Sequence, residues 1–454
     1  MTTDRSLSFS CPRTDQPLEP VDGGYTSPAS DVVYPLVGDI PWLFSEPAAT
    51  LHEWRNRLHM ALQSVSHEIQ GLEIELKNKD LRPLAKRRVE RYRNACREHQ
   101  KKLKKLVAPI VDKEVRGTLE SYLAMRTRLP TDQGLNTYYA NIHRDWCWGD
   151  EENEASIKQL RSVMNENAAL GRVLVLGAGA GRLAYDIATG MDCDHVVAMD
   201  FNPMLMFVAQ KMIRGDKLKM YEFPIAPASL EDDAVLRTLK APAPTDKVSL
   251  VLGDALRAPF PDASFDTVVT PWLIDIISED LVLFAKRINR LLPEGGRWLN
   301  FGSLAFTNPK RARCYSPEEV KAIVAESGFS DPYVSQSTIP YMCSPASRHG
   351  RQEKVFTFSA FKEKGIKAPA RYRALPDWIV TGKAAVPLSQ SFKTQAMTTQ
   401  IYAFIMSLID GRRSIEDMAK VLEKQQLMSR DEGVAAIRTF LTKMYDDSQR
   451  SQGF

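Results

Sequence analysis

Val173-Leu174-Val175-Leu176-Gly177-Ala178-Gly179-Ala180-Gly181-Arg182-Leu183-Ala184 is the stretch on which the fold turns. A short apolar run bounded by glycines reads as a buried β-strand, and the residues after Gly181 read as the start of a helix. Closely spaced glycines allow a tight turn and let backbone N–H groups approach a ligand with no Cβ in the way. A dinucleotide fingerprint would put its third glycine three residues after the second. Arg182 stands there, and the third glycine comes one residue earlier, at 181.

Outward from this loop, apolar runs alternate with helical patterns, as a parallel sheet with crossover helices requires. Strands are predicted at Arg172–Leu176, His195–Asp200, Ser249–Gly253, Phe265–Pro271 and Arg297–Gly302, with a closing pair near Tyr333–Ile339 and Val355–Phe361. Asp200 ends the second strand, where a carboxylate can accept from both hydroxyls of a ribose. Asp254 follows the third strand, Thr270-Pro271-Trp272 ends the fourth, and Pro293-Glu294-Gly295-Gly296 turns into the fifth. This order resembles the class I methyltransferases, in which an Asp after the third strand meets the adenine amino group. The resemblance implies an α/β fold: a doubly wound, Rossmann-like, seven-stranded methyltransferase sheet, with S-adenosylmethionine as cofactor. Gly177, Gly179, Gly181, Arg182, Asp200, Asp254 and Thr270 are the candidate cofactor residues of this edge.

Three stretches resemble the carnosine N-methyltransferase family in particular. They are His143-Arg144-Asp145-Trp146, the loop Gly177 to Ala184, and Leu273-Ile274-Asp275 with Trp298-Leu299-Asn300-Phe301-Gly302. The resemblance spans about residues 135–365. It implies that Arg144 reaches the methionine carboxylate of the cofactor, which suits a guanidinium fork, with Asn141 in the place of a family Gln. It also implies that Asp275 faces the acceptor and contacts an imidazole, as catalytic and substrate residue. An N-cap role for Asp275 is the plainer alternative. The chain departs from the family after Gly302, where a Tyr-His pair is replaced by Phe306-Thr307. Thr307 and Tyr341 are the remaining candidate substrate residues. The basic run Ser347-Arg348-His349-Gly350-Arg351 suits either an anionic acceptor or a solvated hairpin. Carnosine itself is therefore not the expected acceptor, and an imidazole or other nitrogen acceptor is.

Four parts are expected along the 454 residues: an arm at 1–47, a helical region at 48–128, the methyltransferase domain at 129–365, and a small α-rich domain at 366–454. In the arm, Cys11-Pro12, Leu18, Tyr34-Pro35, Gly38, Ile40-Pro41 and Leu43 resemble small zinc-ribbon domains. A ribbon site needs about four ligands, and one Cys remains, so no metal is expected. Between Lys77 and Lys105 there are thirteen Lys/Arg and three acids. With Tyr92 the sole aromatic there, this run reads as a solvated helical face, and nucleic acid is not an expected partner. Met220–Lys247 reads as a long surface insertion. Leu408-Ile409-Asp410-Gly411-Arg412-Arg413-Ser414-Ile415-Glu416 resembles small winged-helix, PqqD-like peptide-binding domains. A packing or dimerisation appendage is the alternative there.

Hydrophobic residues make up 44% and charged residues 26%, with a net charge of +4. This composition excludes collagen-like and wholly disordered chains. No apolar run is long enough for a membrane span, and Met1–Pro12 lacks the apolar segment of a secretory signal. Six scattered cysteines fit reduced thiols and a cytoplasmic setting. The expected function is N-methylation of a small molecule or peptide. An RNA or protein methyltransferase using the basic helices is the alternative, and a non-catalytic cofactor-binding scaffold is the third reading.

Overall fold

The computed structural model describes residues 7–28, 30–111, 138–165, 168–307, 310–369 and 385–451. The chain divides into two compact units, Met1–Ala374 and Leu375–Phe454. In the first, strand β5 (Arg172–Leu176) lies at the middle of the sheet. Its side chains alternate between faces. Leu174 and Leu176 enter one core with Phe284 and Ile288, while Val173 and Val175 enter another with Ile187 and Leu160. A strand buried on both faces is what the unbroken apolar run requires.

Counting from the loop motif, the strands are β6 (His195–Asp200), β9 (Val248–Gly253), β10 (Thr267–Pro271), β11 (Arg297–Phe301), β12 (Tyr333–Tyr341) and β13 (Arg351–Phe361). They lie in the order β9-β6-β5-β10-β11-β13-β12. β9, β6, β5, β10 and β11 pair in parallel, and β13 runs antiparallel to both β11 and β12.

The sheet is eleven-stranded, not seven-stranded. The arm supplies β1 (Glu19–Val21), β2 (Gly24–Ser27), β3 (Ser30–Val37) and β4 (Ile40–Leu43). β4 pairs in parallel with β9, Trp42 opposite Leu252 and Leu43 opposite Gly253. Every residue of β4 is buried. The open ladder of β9 is thereby covered, as an edge strand needs. Cys11 lies in the same core, its Sγ 3.1 Å from the Tyr34 hydroxyl.

Two long helices follow, α1 (Pro47–Glu75) and α2 (Pro83–Leu106). Val89, Cys96 and Leu103 recur every seven residues and form the buried stripe of α2. Its basic face carries ion pairs: Arg87 and Arg91 with Glu231, Arg88 with Asp233, and Arg97 with Glu73. The expected helical region beyond residue 111 lies outside the described residues until 138.

The insertion at 220–247 departs from the surface loop expected. It contains most of an antiparallel hairpin, β7 (Leu218–Glu222) with β8 (Val235–Leu239). Met220 and Leu239 are fully buried in a core shared with Leu103 and Leu106 of α2. Helix α3 (Asp150–Ser162) precedes β5, and the crossover helices of the sheet are α4 (Arg182–Gly190), α5 (Pro203–Ile213), α6 (Leu281–Leu291) and α7 (Pro317–Glu326).

The second unit holds α8 (Gln390–Ser407), α9 (Ile415–Lys424) and α10 (Arg430–Ser451). Ile405, Leu408, Met418, Ala419, Leu422 and Ile437 form its core. Ser414 opens α9 with a capping box. Among the described residues this unit has no strand, so no wing is seen. Among the described residues of both units, no helix is long and apolar enough to cross a membrane.

Candidate active site

A cavity of about 380 Å³ opens at the carboxyl ends of β5, β6, β10 and β11. This is where open α/β sheets take their ligands, and the volume is within the usual range for a small-molecule site, about 300–1,000 Å³. Nine of the twelve candidate site residues line it.

The glycine loop forms one wall. Gly177 and Gly179 have φ of +72° and +58°, left-handed values that favour glycine. A Cβ on Gly179 would meet nothing within 4 Å, so open space lies above that backbone. The Gly179 N–H donates to Asp200 Oδ2, and the Asn202 N–H donates to Asp200 Oδ1, both at 2.8 Å. Burial pushes the Asp200 carboxyl up to about 6, against the pull of the backbone N–H groups of Asn202, Gly179 and Phe201.

A second wall is the turn Asn141–His143 and the π-helical segment Arg144–Trp148. Such segments recur at functional sites. Arg144 donates from Nε and Nη2 to Asp145 Oδ1, at 2.8 and 2.7 Å. Arg182 is fixed by Asp186 at 2.9 Å and by the Asp145 carbonyl at 2.6 Å. Trp146 donates to the Ala180 carbonyl at 2.8 Å. These bonds tie the segment to the glycine loop, with Asn141 and Arg144 facing the cavity. His143 turns away: its Nε2 lies 3.1 Å from the Tyr221 carbonyl, and burial pushes its pKa down to about 3, so the ring is neutral.

The third wall carries Asp275. Its Oδ2 accepts from Ser303 Oγ at 2.6 Å and from the Ala305 N–H at 2.9 Å. Its Oδ1 is buried with no hydrogen-bond partner among the described residues. Asp275 is not a helix cap: the cap of α6 is Asp280, which accepts from the Val282 N–H at 3.0 Å. Thr307 and Tyr341 line the same wall.

Three candidates do not reach the cavity surface. Gly181 caps α4, and a Cβ there would lie 2.9 Å from the Ala209 Cβ, so its role is helix packing. Asp254 accepts from the Leu256 N–H at 2.9 Å and caps a short 3-10 turn. Thr270 is fully buried, donating to Asn300 Oδ1 and accepting from Trp298 Nε1, each at 3.0 Å.

Lining residues outside the candidate set include Tyr138, Glu152, Trp272 and Arg351, the last of these in the basic run noted from the sequence. Trp272 has φ +49°, a strained value for a bulky side chain. A Cβ on Gly302 would lie 2.8 Å from its backbone nitrogen, so this turn requires glycine at 302. The Thr-Pro-Trp ending of β10, followed by Gly302 after β11, was the available signal. Glu152 accepts from the Cys343 N–H at 2.8 Å and fastens the β12–β13 turn to α3; burial raises its carboxyl. No local pattern marks Glu152, whose partner lies far along the chain.

The family model for carnosine N-methyltransferase matches residues 131–363, just over half of the chain. The chain belongs to the carnosine N-methyltransferase family. Carnosine N-methyltransferase of Dictyostelium discoideum is 27% identical over 178 residues, covering 35% of this chain and 37% of that protein. The chain thus spans well under half the length of this curated relative. Among solved structures, Haemonchus contortus phosphoethanolamine N-methyltransferase 2 in complex with S-adenosyl-L-methionine is 17% identical. That match covers 52% of this chain and 58% of that one, with a TM-score of 0.33. The YcgJ protein of Bacillus subtilis is 16% identical over 47% of this chain and 99% of that one, with a TM-score of 0.32. S-adenosylmethionine is the cofactor of the carnosine N-methyltransferase family, and the cavity fits it. Open space stands over Gly179, a backbone-anchored carboxylate stands beside it at Asp200, and a guanidinium lines the wall at Arg144.

Proposed function

We propose that this chain methylates a nitrogen of a small acceptor, with an imidazole as the best fit, using S-adenosylmethionine. Bound in this cavity, the cofactor supplies an electrophilic methyl group on a sulfonium. Asp200 would accept from its ribose hydroxyls, Arg144 would meet its carboxylate, and the Gly177–Gly179 backbone would lie against it. The observation that carries the acceptor reading is the buried, unpartnered Oδ1 of Asp275 on the cavity wall. A buried carboxylate oxygen without a donor is costly, and an N–H of an acceptor would satisfy it.

The two oxygens of Asp275 then divide the work. Ser303 and the Ala305 backbone hold Oδ2 and set the direction of the carboxylate. Oδ1 accepts N–H from one ring nitrogen, which fixes the tautomer and leaves the lone pair on the other. The same negative charge stabilises the cation that methylation leaves on the ring. Neutral imidazole, with a pKa near 6.5, has that lone pair at neutral pH.

The RNA or protein alternative gains no support from the basic helix. Four of its arginines are engaged by acids of the same unit. The test is turnover of methyl-labelled cofactor with a panel of small imidazole and amine acceptors, for the wild type and for Asp275→Asn. Labelled small product from the wild type and its loss in the variant is the expected result. Label transferred solely to RNA or protein would overturn the proposal.

A further inference from the structure

We propose that Glu222 is a positioning residue of this site: it couples the segment that carries Arg144 to the β12–β13 turn beside Tyr341, so that cofactor binding at the first orders the second. The inference rests on the preceding reading in one respect, that Arg144 meets the cofactor.

Glu222 ends β7 in the insertion hairpin, and its side chain is 6% exposed. It stands behind the cavity lining, not in it. Three donors from three elements converge on its carboxylate. Trp148, the last residue of the π-helical segment, donates from Nε1 to Oε1 at 3.1 Å. Ser344, in the β12–β13 turn, donates from Oγ to the same oxygen. Arg237 of β8 donates from Nε to Oε2 at 2.7 Å and balances the buried charge.

Backbone bonds join the insertion to the same two walls. On the cofactor side, the Lys240 N–H donates to the Trp146 carbonyl at 3.1 Å, and the Tyr139 hydroxyl donates to the Tyr221 carbonyl at 2.5 Å. On the other side, the Ala228 N–H donates to the Ala346 carbonyl at 2.9 Å, and the Arg348 N–H donates to the Ala226 carbonyl at 2.8 Å. The walls face each other across the cavity, where the Arg144 guanidinium carbon lies 5.8 Å from the centre of the Tyr341 ring.

Charge-assisted hydrogen bonds of this kind are short and strong, and a buried donor stripped of its acceptor is costly. Trp148 and Ser344 share one oxygen, so neither wall can withdraw without loosening the hold on the other. Methyl transfer has a use for such a link, because a misplacement of about 1 Å can cost on the order of 10²-fold in rate. Glutamine cannot replace Glu222, since its amide offers an acceptor at one end and donors at the other.

The test is hydrogen exchange of the full chain with and without S-adenosylmethionine. In the wild type, cofactor should slow exchange in 139–148 and also in 343–348. In Glu222→Gln and in Ser344→Ala the slowing in 139–148 should remain, while that in 343–348 falls at least about fivefold. Ser344→Ala removes a single half-buried hydroxyl, so it serves if Glu222→Gln fails to fold. Glu231→Gln, elsewhere in the same insertion, should leave both regions as in the wild type. No slowing of 343–348 in a wild type that binds cofactor would overturn the proposal. So would an undiminished effect in Ser344→Ala, or an equal loss in Glu231→Gln. Slowing at the glycine loop 177–184 without any in 139–148 would instead overturn the reading of Arg144, and this inference with it.

Discussion

Asp200 and Asp275 are both buried carboxylates at the same edge of one sheet, and they are held in different ways. Each oxygen of Asp200 accepts a backbone N–H, from Gly179 and from Asn202. Asn202 follows Asp200 on its own strand–loop–helix unit, and Gly179 lies in the glycine loop of the adjacent strand β5. Asp275 has one oxygen held twice, by Ser303 and Ala305 from beyond the next strand, and one oxygen with no partner among the described residues. The carboxylate proposed for the cofactor is thus fixed by backbone N–H groups of the sheet edge. The carboxylate proposed for the acceptor is fixed at one end by a distant loop and has no partner at the other among the described residues. The first half of the site is a feature of the fold; the second depends on how β11, β12 and β13 are finished.

The largest expected effect breaks the second half alone. Asp275→Asn keeps the shape but removes the charge that favours the developing cation. Methyl transfer should fall by about 10²–10⁴. Cofactor affinity, measured by calorimetry, should change little, because its partners remain. Near-normal turnover would reduce Asp275 to a structural anchor for the 303–305 loop.

The reciprocal break is Asp200→Ala. Loss of a pair of charged hydrogen bonds should weaken cofactor binding by about 1–3 kcal/mol, or about 5- to 150-fold. Acceptor KM at saturating cofactor should move far less. An unchanged cofactor affinity in a folded variant would remove Asp200 from the site.

A titration sharpens the same contrast without a mutation. Burial pushes Asp200 up to about 6, well above the ordinary carboxylate. The ionised form is the one that accepts from ribose hydroxyls. Cofactor affinity should therefore be level above pH 7 and fall as pH drops through 6, by about tenfold at pH 5. The sign for folding is opposite. A carboxyl whose pKa is raised on folding binds more protons in the native state, so between about pH 4 and 6 this group favours folding as pH falls. Titration of Asp200 therefore weakens cofactor binding near pH 5 without itself driving unfolding, and circular dichroism at each pH separates the two. An affinity flat from pH 8 to 5 would contradict the role of Asp200.

The difference between the halves also explains what could be read from the sequence. Gly177, Gly179 and Asp200 are legible because the turn, the close approach and the strand end all lie within one short segment. The parallel strands are legible because burial on both faces demands unbroken apolar runs. Thr270 misled because it ends a strand at the right edge, yet strand alternation turns its hydroxyl inward to Asn300 and Trp298. Asp254 follows the third strand as expected, and one oxygen of its carboxylate, Oδ1, caps the next turn. Trp272 and Glu152 were missed because their places are set by partners far along the chain, Phe301 behind Trp272 and Cys343 above Glu152. The arm's strands were expected as a small β-rich unit. That they would continue the main sheet depends on the vacant edge of β9, which no pattern within residues 1–47 reveals.

The smallest expected effect lies away from the cavity and tests whether the insertion is held by charge or by its core. Glu231 pairs with Arg87 and Arg91 of α2, with the side chains 38–63% exposed. Exposed pairs of this kind contribute about 0–1 kcal/mol and are screened by salt. The hairpin β7–β8 meanwhile buries Met220 and Leu239 completely against Leu103 and Leu106. Burying one such side chain is worth about 1.5–3 kcal/mol, so the apolar contact should dominate. Glu231→Gln is therefore expected to lower stability by less than about 1 kcal/mol in denaturant titrations, and by less still at high salt. Met220→Ala should cost about 2–5 kcal/mol. If Glu231→Gln matched Met220→Ala, the basic face of α2 would be the fastening of the insertion, not a solvated surface carrying incidental pairs.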